Sequence, residues 1–191
     1  MFASLQAQRK DPVVEGNTLL NQIKYAMAQK VFASGLEADA AYYELYPCLA
    51  NSMMLQGNYS SADSVLDVLL EEKPNNLAAF WYKGLNYLRW DEDSMSIVFM
   101  KKYLVNANPA KHKVADANYY IGRAYEEMLR DTGLLEPELN EMRVYFQNYI
   151  DMSQGSPVAS RLKAFLEQIN AQKPEDYKTR WKYEYVPSKK P

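Results

Sequence analysis

The sequence predicts an all-α fold in which helical hairpins stack side by side. Two observations carry this prediction. First, the composition suits helices, because only 7 of the 191 residues are glycine and no run alternates apolar and polar residues before the final segment. Second, small residues recur in phase, since Ala50 and Gly84 lie one 34-residue interval apart and Gly122 opens a third similar stretch.

Residues 1–16 show no helical period and are predicted to form an extended or disordered lead. Asn17 is a suitable cap for a helix over residues 18–33, and Gly35 is a suitable end for it. A second helix is expected from about Glu37. Together these two helices predict a degenerate hairpin that covers the open apolar edge of the repeat that follows.

The stretch from Tyr43 to Pro74 carries the clearest copy of the repeat. Pro47 predicts a break or kink near Tyr46, because proline removes a hydrogen bond from a helix interior and clashes with the preceding turn. The small, turn and closing residues follow at fixed spacing: Ala50, Gly57, Tyr59, Ala62 and Pro74. Ala62 is therefore predicted to lie where the two helices of this hairpin approach closely.

Two further copies follow in phase. The second predicts helices over residues 77–90 and 94–106, with one residue inserted in the turn between them. The third predicts helices over residues 114–129 and 137–152, separated by the long turn LRDTGLLEPE. A cap followed by proline then opens a last helix, which carries one apolar face and is expected to close the C-terminal end. The residues of this cap and face are Ser156, Pro157, Leu162, Phe165, Leu166 and Ile169.

From Lys173 onward the pattern changes to the two-residue period of an extended segment. Trp181, Tyr183 and Tyr185 fall on one side of it. Residues 173–191 carry six basic and three acidic residues, a net charge of +3, whereas the whole chain carries -2. This tail is expected to dock on the acidic, aromatic body of the same molecule or of a neighbour. The alternative is a disordered tail.

The spacing of small, aromatic and proline residues over about residues 43–157 resembles the tetratricopeptide repeat (TPR) family. That resemblance implies a right-handed superhelical solenoid of about three TPR-like hairpins with capping helices at both ends. The helical domain is then expected at residues 17–172 and the basic aromatic tail at residues 173–191. The resemblance also implies a module that binds another protein, and it leaves the partner unidentified.

In TPR solenoids the first helix of each hairpin lines the concave side, so the resemblance implies an aromatic groove for an extended peptide or a partner helix. One TPR subfamily binds the C-terminal carboxylate of chaperones through lysine, asparagine and arginine at set positions. This sequence keeps only the first asparagine of that set, which argues against an Hsp70 or Hsp90 co-chaperone. The alternative for each aromatic residue is packing between helices. The expected groove residues are Asn51, Trp81, Tyr82, Leu85, Tyr119, Tyr120 and Arg123.

The remaining composition argues against several classes of function. The net charge of -2 gives no general attraction for nucleic-acid phosphates, and no stretch reaches the ~18 apolar residues of a membrane span. Cys48 cannot form an internal disulfide, and with His112 as the one histidine we expect no metal site. We find no nucleophile beside a base and no glycine-rich phosphate loop. We therefore expect no catalytic residues, no cofactor and no enzymatic activity.

Three functions remain open at this stage. The first is a scaffold or adaptor that recruits another protein through the groove. The second is an export chaperone that shields an extended segment of its cargo, and the third is a structural subunit that self-associates through its tail. Residues 2–7 resemble the end of a signal peptide, which favours an exported or periplasmic protein. The alternative is a frayed N-terminus of a cytoplasmic protein.

Overall fold

The computed structural model describes residues 11–109, 113–175 and 178–183, and within these ranges the chain is all-α, as predicted. The extended pairing found there is one isolated antiparallel bridge, between Leu134 and Trp181. The helices of the described residues are α1 Pro12–Asn21, α2 Tyr25–Ala38, α3 Leu45–Met54, α4 Tyr59–Glu72, α5 Leu77–Arg89, α6 Asp93–Asn106, α7 Val114–Asp131, α8 Glu136–Met152 and α9 Pro157–Gln172.

The chain forms two compact units, Met1–Trp90 and Asp91–Pro191. Unit 1 contains α1 to α5, and unit 2 contains α6 to α9. The boundary falls in the turn between α5 and α6, where the sequence predicts an inserted residue. Asp91 in this turn adopts a φ of 60°, a conformation that aspartate tolerates better than most residues.

Helix α1 corrects the described part of the extended lead predicted over residues 1–16, because residues 12–16 are helical. Asp11 caps this helix, because its Oδ1 accepts a hydrogen bond from the Val13 N–H at 2.8 Å. Pro12 occupies the first turn, where its missing N–H would have had no helical partner. The Asp11-Pro12 pair therefore starts a helix, and Gly16, four residues after the proline, does not interrupt it. The proposed remnant of a signal peptide lies outside the described residues.

The prediction of a single helix over residues 18–33 is wrong, because parts of α1 and α2 occupy this range. Ile23 follows α1 with a φ of 61°, through which a right-handed helix cannot continue. Helix α2 then runs to Ala38 and passes through Gly35, which was expected to end it. A Cβ at Gly35 would lie 2.6 Å from Cδ1 of Leu45, so this glycine permits close packing of α2 against α3.

The α1–α2 hairpin stands in place of the degenerate hairpin that the sequence predicts from residues 18–33 and from about Glu37, and it keeps the phase of the repeat. Gly16 lies where the two helices cross, because a Cβ there would come 2.1 Å from Cε1 of Phe32. Ala28 and Phe32 are fully buried. Each of these three residues has a counterpart one 34-residue interval later, in α3 or α4: Ala50, Ala62 and Leu66.

Helices α3 and α4 form the first predicted copy. Because α3 begins at Leu45, Pro47 lies in its first turn, where proline is tolerated. The second helix expected from about Glu37 is wrong, because residues 39–44 are not helical and the chain breaks there, before the predicted position near Tyr46. Gly57 follows α3 with a φ of 78°, the left-handed conformation that commonly closes a helix. Ala50 and Ala62 belong to one buried apolar cluster with residues of α3, α4 and α5, which we call the α3–α5 cluster.

Ala62→Leu is expected to lower the free energy of unfolding by ~1–3 kcal/mol, because a larger side chain must enter a fully packed crossing. Ala62 has 0% of its surface exposed. Ser61→Leu changes the exposed neighbouring position and serves as the control, with an expected effect within ~0.5 kcal/mol. Urea unfolding followed by circular dichroism measures both variants. Equal effects would show that the helices do not cross at Ala62.

In unit 2, helices α7 and α8 form the third copy and cross at Gly122. A Cβ at Gly122 would lie 2.4 Å from Cδ1 of the Phe146 ring. The core around this crossing has no exposed surface and consists of Ile121, Ala124, Leu129, Leu139, Met142 and Phe146. The small residue predicted for the third copy therefore lies where the two helices of that copy cross.

Helix α9 begins as predicted. The Ser156 hydroxyl accepts a hydrogen bond from the Ala159 N–H at 3.1 Å, and Pro157 follows as the first helical residue. Leu162 and Ile169 of the predicted apolar face are buried. Helix α9 packs against α8.

Candidate functional site

The predicted groove residues of unit 1 lie on α3 and α5, and burial separates them into two kinds. Trp81 is 8% exposed, so its ring packs inside the protein and leaves little surface for a partner. Tyr82 and Leu85 are half-buried on the α3–α5 cluster, and Asn51 is half-buried as well. Three of the four residues named for unit 1 thus retain surface that a ligand can contact.

Cys48 on α3 and Tyr82 on α5 both have raised pKa values. Burial, followed by the neighbouring Glu44 carboxylate, raises the pKa of the Cys48 thiol to about 11. Burial and the nearby thiol also raise the pKa of Tyr82. Both groups are therefore uncharged near neutral pH, and Cys48 lacks the thiolate character of a reactive cysteine.

Unit 2 presents a cluster of tyrosines on α7 and α8, which we call the Tyr119 cluster. The Tyr119 ring lies 5.5 Å from the Tyr120 ring and 5.2 Å from the Tyr149 ring, measured between centroids. Arg161 of α9 donates a hydrogen bond to the Tyr119 hydroxyl at 3.3 Å. The three rings are half-buried. The two tyrosines of α7 are predicted from the sequence, whereas Tyr149 and Arg161 are brought to them only by the fold.

Arg123, the predicted charged contact, is paired within its own helix. Its guanidinium donates to Glu126 at 3.0 Å and also to Glu127. Glu126 is 5% exposed and accepts a second charged hydrogen bond, from Arg130. A buried carboxylate between two arginines orders both guanidinium groups. These charges lie three and four residues apart in the sequence, a spacing that indicates ion pairs within one helix.

Asp93 of α6 faces the acidic residues of this region. Burial is the largest cause that raises its pKa to about 6, and the Glu127, Asp131 and Asp91 carboxylates add to the shift. Arg123 opposes it. A carboxyl group with a higher pKa in the folded chain than in the unfolded chain destabilises the fold as pH rises through that interval.

We therefore expect Asp93→Asn to unfold at a higher temperature than the wild type at pH above about 7. The difference should shrink as pH falls through about 6 and vanish below about 4, where the carboxyl group is protonated in both states. Thermal unfolding across this pH range measures the effect, with the exposed Asp116→Asn change as control. A stability difference independent of pH would contradict the assignment.

The tail residues Trp181 and Tyr183 lie against unit 2 of the same chain. Trp181 pairs with Leu134 in the turn between α7 and α8, through two backbone hydrogen bonds of 2.9 Å. Tyr183 is 4% exposed, and its ring meets the Phe165 ring edge to face at 5.8 Å. Tyr185, the third predicted tail contact, lies outside the described residues.

Within the described ranges, no group of three or more histidine, cysteine, aspartate or glutamate side chains is placed to hold a metal ion. His112 falls outside those ranges. The same part of the chain contains no helix with the length and apolarity needed to cross a membrane.

Comparison with known proteins supports the fold. No protein-family profile and no curated protein sequence matches the chain. Among solved structures, the MamA RS-1 ArsTM double mutant is similar with a TM-score of 0.69 and 17% identity, over 88% of this chain and 88% of that one. A crystal structure of MamA is similar with a TM-score of 0.64 and 17% identity, over 90% and 87%. MamA is a TPR-like protein, so the chain has a TPR-like helical-repeat fold.

Proposed function

We propose that this protein is a non-catalytic scaffold that binds another protein, holding an extended peptide or a helix of the partner against the first helices of its hairpins. The TPR-like fold supports this function, because stacked hairpins present their first helices as a repeated surface. The half-buried aromatic residues on those helices support it as well. The proposed contacts are Asn51, Tyr82 and Leu85 in unit 1, and the Tyr119 cluster with Arg123 in unit 2.

The single observation that carries the proposal is the Tyr119 cluster. Tyrosine provides a large contact area with few rotatable bonds, so it loses little entropy on binding. Its hydroxyl group offers a hydrogen bond at the edge of an apolar contact. Arg161 holds the Tyr119 hydroxyl at 3.3 Å, which orders the ring before a partner arrives. Preorganised aromatic side chains of this kind are enriched among residues that dominate binding energies.

Affinity capture from native lysate tests the proposal. Tyr119→Ala in unit 2 and Tyr82→Ala in unit 1 are compared with the wild type. Full burial of one such ring contributes ~1.5–3 kcal/mol, so loss of either ring should weaken binding of the same partner by about tenfold or more. Tyr145→Ala provides the matched control, because this half-buried tyrosine lies on α8, the second helix of its hairpin. A partner retained equally by all four proteins would overturn the proposal.

A further inference from the structure

Residues 180–183, which we call the tail segment, lie in an extended conformation on a surface of unit 2 that we call the tail seat. The seat consists of the end of α7, the turn that follows it, the first turn of α8 and one face of α9. Its contacting residues are Leu129, Gly133, Leu134, Glu138, Phe165 and Gln168. None of these residues belongs to the Tyr119 cluster.

The backbone of the tail segment is held in the manner of an added strand. Leu134 donates its N–H to the Trp181 carbonyl and accepts from the Trp181 N–H, both at 2.9 Å, and the Tyr183 N–H donates to the Leu129 carbonyl at 3.2 Å. Gly133 permits this approach, because a Cβ there would lie 2.8 Å from the Trp181 oxygen. Main-chain hydrogen bonds of this kind can form with any extended segment, so the specificity for sequence depends on side-chain contacts.

Two side chains of the tail segment are recognised specifically. Arg180 donates to the Gly133 carbonyl at 2.8 Å and to Glu138 at 3.1 Å. Tyr183 is buried, with its hydroxyl donating to Gln168 at 3.2 Å. The seat therefore selects an arginine and, three residues later, a tyrosine. The aromatic residues of the tail are predicted from the sequence, whereas the contact of Arg180 is not.

A cavity of about 360 Å³ borders the seat beside Tyr183. It lies between that ring, α7 and α9, and its lining includes Glu126, Arg130, Arg161 and Phe165. The lining thus combines charges of both signs with apolar side chains.

We propose that the tail seat is a recognition site for an extended segment of a partner protein with the pattern arginine, any two residues, tyrosine. The tail segment occupies this site as a resident competitor. Its ion pair with Glu138 is partly exposed, with 42% of the Arg180 side chain and 26% of the Glu138 side chain accessible, so water screens the contact. The short connection from the end of α9 gives the tail an effective concentration in roughly the millimolar range. A partner segment must bind more tightly than that competition to displace it.

The test uses the full chain and a fluorescein-labelled peptide with the sequence of residues 178–183, KTRWKY, as the probe. The variant Trp181→Ala plus Tyr183→Ala weakens the resident competitor, so it should bind the probe at least about tenfold more tightly than the wild type does. A scrambled peptide of the same composition should not bind. Glu138→Gln in the double-variant background should weaken binding of the probe, because it removes the charged partner of its arginine.

Equal affinity of the wild type and the double variant, or equal binding of the scrambled peptide, would overturn the proposal. If the double variant loses its helical circular dichroism, Arg180→Ala replaces it, since this change leaves the two aromatic contacts intact. Light scattering over a concentration series tests whether the tail of a second copy occupies the seat instead. A wild-type dimer that the tail substitutions abolish would overturn the partner assignment in favour of exchange of tails between two copies. A negative result in this peptide-binding test would not bear on the function proposed for the Tyr119 cluster, because capture of a partner through that cluster is measured with different variants.

Discussion

Replacing Lys83 by alanine is expected to lower the free energy of unfolding by about 3 kcal/mol or more, the largest effect of any single change considered. The Lys83 side chain is 2% exposed on α5 and pairs with two carboxylates of α4. Its Nζ contacts Asp63 closely and lies 2.9 Å from Asp67. Asp63 also accepts a hydrogen bond from the Tyr87 hydroxyl at 2.9 Å. Loss of the ammonium group would leave Asp63, which is 19% exposed, with an uncompensated charge.

Two further variants separate charge from volume at this position. Lys83→Met keeps most of the volume, so any part of the loss due to a cavity is restored while the unpaired carboxylate remains. Asp67→Asn removes the partner that is 56% exposed and should cost ~1 kcal/mol or less. Urea unfolding measures all three variants. A loss below ~1 kcal/mol for Lys83→Ala would contradict the view that this ion pair joins α4 to α5 in a desolvated environment.

Gly122→Ala is the second large effect, an expected loss of ~1–3 kcal/mol. In an open helix this change would raise stability by ~1 kcal/mol, because alanine is the better helix former. The new Cβ would lie 2.4 Å from the Phe146 ring, so the ring or the helix must move. Because α7 and α8 cross closely at this position, a glycine-to-alanine change that usually stabilises a helix is expected to destabilise this one.

A double-mutant cycle shows whether Phe146 is the cause. Phe146→Leu alone should destabilise unit 2 by leaving a cavity, and in that background Gly122→Ala should cost less than it does alone. A coupling free energy of at least ~1 kcal/mol between the two positions is expected. Additive effects would mean that the close approach of the two helices does not depend on this ring.

Local signals in the sequence account for most of the helix boundaries. Helix α9 follows from its serine cap and proline, and α5 and α6 lie within one residue of their predicted ends. The start of α1 differs from the prediction because Asp11 and Pro12 are themselves a helix start, a signal that outweighs the lack of a helical period in this stretch. The break at Ile23 has no local signal, because isoleucine rarely adopts a positive φ.

The candidate site was harder to predict than the fold, because helical period shows which residues share a face and does not show what covers that face. Trp81 and Tyr82 are neighbours, yet the first is buried and the second keeps partial exposure. The seat of the tail depends on Arg180 and Gly133, which lie 47 residues apart in sequence. A single sequence gives no indication of such a pair.

Site-specific photo-crosslinking tests the central claim, that the first helices bind another protein, most directly. A benzophenone amino acid at position 119, and in a second protein at position 82, should each give a discrete crosslinked adduct with the same partner in native lysate. The same group at Val105, which is 84% exposed on α6, should give none. Adducts of equal yield from all three positions, or none from positions 82 and 119, would contradict the account.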